Sequence, residues 1–218
     1  MVSKKVITDF FKLIKGRFVF YKNTNIYNKI IKQIYTELKG IKKKKISINK
    51  VEFSNNNLSK SHFVSDKAKK ALKKIKHAYE SNFTILNTEV KVSLLTLNNV
   101  STQQNREYME KVYKLLMFMI GLSNMEMETL DLVLFFHDDK KKISNKYETL
   151  SSKHVNTAVT YACSKNGQIF LYRKEEWFKV LAHELMHSLC LDFSGLDIKD
   201  LQSNIKKLFN IKSEFEIS

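Results

Sequence analysis

Residues 180–189 read Val180-Leu181-Ala182-His183-Glu184-Leu185-Met186-His187-Ser188-Leu189. They fall in a segment expected to be helical from Lys174 to about Cys190, with Glu175 and Glu176 suiting its positive N-terminal end. On a helix, His183 and His187 leave the same face about one turn apart. Two imidazole nitrogens so placed can reach one Zn²⁺ at roughly 2.0–2.1 Å each. Glu184 follows the first of them, where it can take a proton from a metal-activated water and deliver it to a leaving amine. A core helix whose histidines are simply hydrogen-bonded has the same spacing. Composition weighs against that alternative: from Val180 to Leu191, Glu184 is the sole acid, Lys or Arg. A helix otherwise suited to burial keeps one carboxylate beside two ligand-type side chains.

Working upstream, strands and helices alternate. Asn156–Ala162 and Gln168–Arg173 read as two strands, with Asn166-Gly167 as the tight-turn signal between them. Leu130–Phe136 reads as a strand apolar enough for burial on both faces, and Val90–Leu97 as another. Between these two, Thr102–Leu122 reads as a long helix with an apolar stripe of Tyr108, Val112, Leu115, Leu116, Met119 and Ile120. Strand, helix, strand, hairpin, helix is an α+β order. Further upstream, helices are expected at 4–22, at Asn25–Leu38 and from a cap at Asp66 to about Tyr79. A strand is expected at Ile46–Phe53, with an Asn/Ser loop at 54–61.

With those residues in view, positions 90–191 resemble the N-terminal half of a zincin, the HExxH metallopeptidase superfamily. The stretch EEWFKVLAHELMHSLCLDFS (175–194) is also similar to metallopeptidase-like proteins encoded by large DNA viruses of eukaryotes. The resemblance implies a mixed sheet with an antiparallel edge strand, a long backing helix and an active-site helix. It implies Zn²⁺ on His183 and His187, Glu184 as general base, and a peptide or protein substrate laid along the edge strand. The matching edge is Asn156–Tyr161, which makes Asn156, Thr157, Ala158 and Tyr161 the substrate-binding candidates. Tyr161 or Tyr172 would assist an oxyanion, unless each is an ordinary strand tyrosine.

The third ligand departs from the pattern. A metzincin-like arrangement would put Gly three and His or Asp six positions after His187, where this chain has Cys190 and Phe193. Asp192 serves only if the helix ends early and the chain turns back. The gluzincin alternative takes a Glu after an intervening helix at Asp197–Phe209, which points to Glu214, with Glu216 beside it. A zincin has a fuller C-terminal part than the 27 residues from Asp192 to Ser218, so the resemblance also allows a domain lacking that part. The alternative function is then an inactive zincin scaffold acting as a binding or virion structural protein. Cys190 is expected to pack as a small apolar residue at the helix end. A second metal at His137, Asp138 and Asp139 competes with an ordinary solvated turn.

Composition sets the frame. The 218 residues carry 38 Lys+Arg against 22 Asp+Glu, a net +16, with no proline and 43% hydrophobic residues. That hydrophobic content excludes a disordered or collagen-like chain. The longest apolar run, Leu115–Leu122, is far short of the ~20 residues of a membrane span. Two cysteines, Cys163 and Cys190, make no disulfide framework and point to a reducing compartment. The expected setting is cytoplasmic, in a host cell or a virion if the chain is viral. Residues 1–81 hold 21 basic and five acidic residues, whereas 82–218 hold 17 of each. The expected division is therefore a basic, mostly helical extension (1–81) and a neutral zincin-like domain (82–218). Lysine outnumbers arginine 35 to three, so sequence-specific nucleic-acid readout is not expected. Unspecific contact of 1–81 with nucleic acid or an anionic membrane fits the charge.

Overall fold

A computed structural model describes residues 24–42, 44–52, 64–138, 140, 157–192, 197 and 199–212. Its helices are α1 (Thr24–Gly40), α2 (Asp66–Leu72), α3 (Thr102–Leu122), α4 (Trp177–Ser188) and α5 (Lys199–Phe209). Its strands are β1 (Asn49–Val51), β2 (His77–Ile85), β3 (Thr88–Thr96), β4 (Thr129–Phe135), β5 (Ala158–Thr160) and β6 (Asn166–Leu171). The strands form one mixed sheet in the order β1-β2-β3-β4-β6-β5. β3, β4 and β6 run parallel; β1–β2, β2–β3 and β5–β6 are antiparallel pairs. The expected α+β class holds, with β5 as an antiparallel edge.

Register explains the core. Val92, Leu132 and Ile169 pair across three strands, and Leu94, Leu134 and Leu171 pair two residues on. All six are at most 1% exposed and meet Met109, Val112 and Leu116 of α3 and Leu181 and Leu185 of α4. Each such side chain contributes about 1.5–3 kcal/mol by leaving water. α3 starts where its sequence says: the Gln104 amide donates to Ser101 Oγ while Gln104 Oε1 accepts from the Ser101 amide, a capping box. On the sheet's other face Leu95, Phe135, Phe170 and Tyr172 are covered by Ala68, Ala71 and Leu72 of α2. Further along that face β4 carries the partly exposed Asp131, cross-strand from Lys91 and Gln168. Burial of β4 on both faces therefore covers only part of its length.

Several expectations need correction. The helix placed at Asp66–Tyr79 stops at Leu72, and Ser65 rather than Asp66 caps it, accepting from the Ala68 amide at 3.2 Å. Tyr79 belongs to β2, whose alternating side chains serve a pairing with β3 that extends from His77 to Ile85. The boundary at 81/82 therefore cuts a strand. Residues 24–81 are not a separate helical extension in the described structure: β1, α2 and half of β2 build the sheet and its cover, and Ile34 and Leu38 of α1 pack on the main cluster. The Asn166-Gly167 turn is also displaced. Both residues lie within β6, and the chain reverses at Ala162–Lys165. Gly167 serves close approach, because a Cβ there would meet Ser188 Oγ of α4 at 3.0 Å. The 4–22 helix, the 54–61 loop and the turn residue Asp139 lie outside the described residues.

Candidate metal centre

α4 is held from both ends and from below. At its start Glu176 is the N-cap in a left-handed conformation, φ 53°, so Glu175 and Glu176 precede the first turn instead of lying in it. Entry is fixed by Trp177, whose ring packs on Phe136 at 5.3 Å and on Tyr108 at 5.6 Å. Along its length Leu181 and Leu185 are fully buried against the sheet. That seating turns His183 outward, leaves His187 partly covered and buries Glu184 to 9% exposure.

At its end α4 closes with a Schellman turn. The Leu191 amide donates to the Met186 carbonyl at 2.8 Å, and the Cys190 amide donates to the His187 carbonyl at 3.2 Å. Cys190 occupies the left-handed position, φ 52°, that glycine normally takes. Ser123, the C-cap of α3, ties the same turn by donating its hydroxyl to the Leu189 carbonyl at 2.8 Å.

The two histidines converge. Their Nε2 atoms are 3.0 Å apart and their rings stand nearly perpendicular, at 87°. Two nitrogens bound to one metal at about 2.0–2.1 Å lie at most about 4.2 Å from each other, so this pair fits one ion. The Asp192 carboxylate meets Nδ1 of His187, and its side chain is 8% exposed. The helix ends early and the chain turns back, as a ligand role for Asp192 requires, and in this arrangement the carboxylate meets the ring nitrogen on the far side from the Nε2 pair. A proton held on Nδ1 by that carboxylate would leave the Nε2 lone pair to bind a cation, the arrangement of a carboxylate–histidine–metal relay.

Burial acts in opposite directions on Glu184 and His183. Burial pushes the Glu184 carboxyl above the usual carboxylate range, and His187 pulls it partly back. Burial lowers His183, the neighbouring His187 lowers it further, and Asp192 opposes both. A neutral imidazole beside a carboxyl of raised basicity is the state that metal ligation and proton transfer need.

A cavity of about 360 Å³ opens between β5 and α4, lined by Ala158–Ala162, Glu184 and His187. Of the expected substrate-strand residues, Ala158 and Tyr161 line it, and Tyr161 is 67% exposed at its rim. Thr157 is buried, its carbonyl accepting the Tyr172 amide at 2.9 Å, and it does not line the cavity. Asn156 lies outside the described residues. Val159, Thr160 and Ala162 line it without having been singled out by sequence. Tyr172 packs at 1% exposure in the cluster on the sheet's other face, which removes it from the oxyanion role.

Among the described residues no group of three His, Cys, Asp or Glu side chains converges on a metal position, and Glu214 and Glu216 lie outside them. The cysteines correct another expectation. Cys190 is not simply packed: it forms a disulfide with Cys163, their Cα atoms 4.9 Å apart. Their separation of 27 residues gave no sequence signal for the pairing. No family model, curated protein or solved structure matches the chain.

Proposed function

We propose that this chain is a zinc-dependent peptidase of the zincin type, with His183 and His187 as metal ligands and Glu184 as general base. The observation that carries the reading is the pair of Nε2 atoms 3.0 Å apart at a cavity that Glu184 shares with strand β5. Zinc held there would supply the Lewis acidity that acidifies a water and polarises a scissile carbonyl. The remaining work falls to the chain. Glu184, its basicity raised by burial, takes the water's proton and returns it to the leaving nitrogen. Asp192 keeps the His187 ring in the ligating tautomer. β5 ends the sheet, so the backbone groups of Ala158–Thr160 directed away from β6 are placed to pair with an extended peptide.

The test is metal content followed by turnover. Protein purified without chelator carries about one zinc per chain, and His183→Ala loses it. Glu184→Gln retains the zinc and lowers peptide hydrolysis by about 10²–10⁴-fold. Metal-free protein from a zinc-replete preparation overturns the proposal. A second reading, a zincin scaffold that binds without cutting, uses the same two converging histidines and differs in lacking a third protein ligand. It predicts bound zinc, no turnover on any peptide library, and a biological role indifferent to Glu184→Gln. Among the described residues no helix is long and apolar enough to cross a membrane. The setting we assign is the cytoplasm or a virion, and the lysine-rich α1 offers unspecific contact to nucleic acid or an anionic membrane.

A further inference from the structure

The Cys163–Cys190 pair lies where two parts of the candidate site meet. Cys163 belongs to the reversal between β5 and β6, directly after Tyr161 and Ala162 of the cavity wall. Cys190 terminates the metal helix two residues before Asp192. Both residues are left-handed, at φ 54° and 52°, a conformation that costs a side-chain-bearing residue free energy unless its surroundings impose it. Both amides also donate to one acceptor, the His187 carbonyl, at 3.1 and 3.2 Å. The crosslink therefore closes on the backbone of a proposed metal ligand. On one side it holds the substrate strand, and on the other the turn that carries Asp192 to His187. Neither cysteine is buried, so small thiol reagents have access.

We infer that Cys163 and Cys190 form a thiol–disulfide modification site that sets the affinity of the His183–His187 centre for its metal, an inference that rests on the metal-site reading above. The reagent class is a low-molecular-weight disulfide such as oxidised glutathione. One cysteine thiolate attacks a sulfur of that disulfide, forming a mixed disulfide and releasing one thiol. The second cysteine then attacks the protein-bound sulfur, closing Cys163–Cys190 and releasing the second thiol. Two electrons pass from the cysteine sulfurs to the reagent, and the two protons leave on the released thiols. In the closed form Asp192 is held on His187 and the β5 wall is fixed against α4. In the dithiol form the turn after α4 keeps its backbone hydrogen bonds and the Ser123 hydroxyl on the Leu189 carbonyl but loses its covalent tie to the β5–β6 reversal, and the Asp192–His187 contact loosens. Loss of such a contact lowers metal affinity by ~10–100-fold.

The experiment equilibrates the full chain in glutathione buffers from reducing to oxidising and follows three readouts. Mass spectrometry reports the disulfide, competition with a chromophoric chelator reports zinc affinity, and a peptide library reports turnover. The expected result is zinc affinity rising by at least ~10-fold as the disulfide closes and falling when it is reduced. The paired substitution Cys163→Ser, Cys190→Ser should fix the affinity at the reduced level in every buffer. Zinc affinity equal within about twofold across a disulfide that demonstrably opens and closes overturns the inference. So does a pair that never oxidises. If affinity tracks the disulfide while no peptide is cut, the redox site stands and the peptidase reading falls; if peptides are cut while zinc affinity is the same in both states, the reverse holds. Absence of zinc binding in either state overturns both.

Discussion

Replacing Gly167 by alanine tests how closely the sheet carries helix α4. A Cβ at this position would lie 2.8 Å from Met127 Cε, 3.0 Å from Ser188 Oγ and 3.1 Å from Leu130 Cδ1. An unstrained carbon contact is about 3.5–4.0 Å. Met127 ends in a flexible thioether methyl that can turn away. Ser188 has no such freedom, being fully buried in α4 one residue after His187, and Leu130 is packed in the strand below. Relief requires α4 to rise from β6 by a few tenths of an ångström. Over-packing of this kind costs about 1–3 kcal/mol, partly offset by the ~0.4–1 kcal/mol that alanine gains by restricting the unfolded chain. The net loss is about 1–2 kcal/mol, and at about 2–4 °C per kcal/mol it lowers Tm by about 2–8 °C. Gly121 supplies the control. It lies near the end of α3 with nothing within 4 Å of a Cβ, so alanine there stabilises by about 0.5–1 kcal/mol and raises Tm by about 1–4 °C. Circular-dichroism melts of metal-free protein measure both shifts, and chelator competition measures zinc affinity, which should fall in Gly167→Ala alone. A Gly167→Ala protein that melts at or above wild type and binds zinc normally would refute the seating of α4 on β6.

Asp192→Asn should weaken zinc binding by ~10–100-fold without unfolding the chain; unchanged affinity in the competition assay would remove Asp192 from the site. Glu184 has a folded-state affinity for its proton above the unfolded value, so it destabilises metal-free protein progressively as pH rises through the folded value, and not in acid below the unfolded value. Glu184→Gln should accordingly raise Tm of the metal-free protein at neutral and alkaline pH and leave it unchanged in acid; a pH-independent difference contradicts this. Removing zinc at a free concentration 100 times its dissociation constant should cost about 2.7 kcal/mol, seen as a Tm fall of about 5–11 °C on chelation. Glu214→Gln and Glu216→Gln, made singly, assign the third donor: the ligand is the one whose loss lowers zinc affinity more than Asp192→Asn does, and if neither does, both candidates fail.

What the sequence disclosed depended on whether the decisive interaction was local. α3 was legible to the residue because its capping box spans Ser101 to Gln104 and its apolar stripe repeats within single turns. β4 and α4 were legible for similar reasons, and so was the convergence of His183 and His187, since i,i+4 placement is a property of one helix. β2 was not. Its outward residues Glu80, Asn82 and Thr84 are polar, and what makes it a strand is pairing with β3 across a two-residue turn at Leu86 and Asn87. Gly167 misled because glycine answers two demands, a turn and a close approach, and here the second one applied. The orientation of Asp192 onto Nδ1 and the pairing of Cys163 with Cys190 both depend on where the chain goes after α4. That path is set by a Schellman turn with a cysteine in the glycine position, a substitution that hides the turn from any reading of composition.

The concentration of charge before residue 82 changes meaning once β2 is in place. A basic arm can be deleted to ask whether it anchors the protein; a strand cannot. Truncation at 81/82 would strip the partners of Val92, Ser93, Leu94, Leu95 and Thr96 from β3, leaving an open strand edge. It would also remove α2, uncovering Leu95, Phe135 and Phe170. Loss of zinc or turnover in such a truncation would report a broken sheet and say nothing about anchoring. The separable charges are those on the outward side of α1, where Lys29, Lys32 and Lys39 are exposed while Ile34 and Leu38 face the core. Glutamine at those three positions keeps the helix and its packing and removes only the field that an anionic surface would feel. Attraction to nucleic acid or membrane is therefore a property to be sought in the side chains of one helix face, because most of the described basic region is already committed to holding the sheet that carries His183, Glu184 and His187.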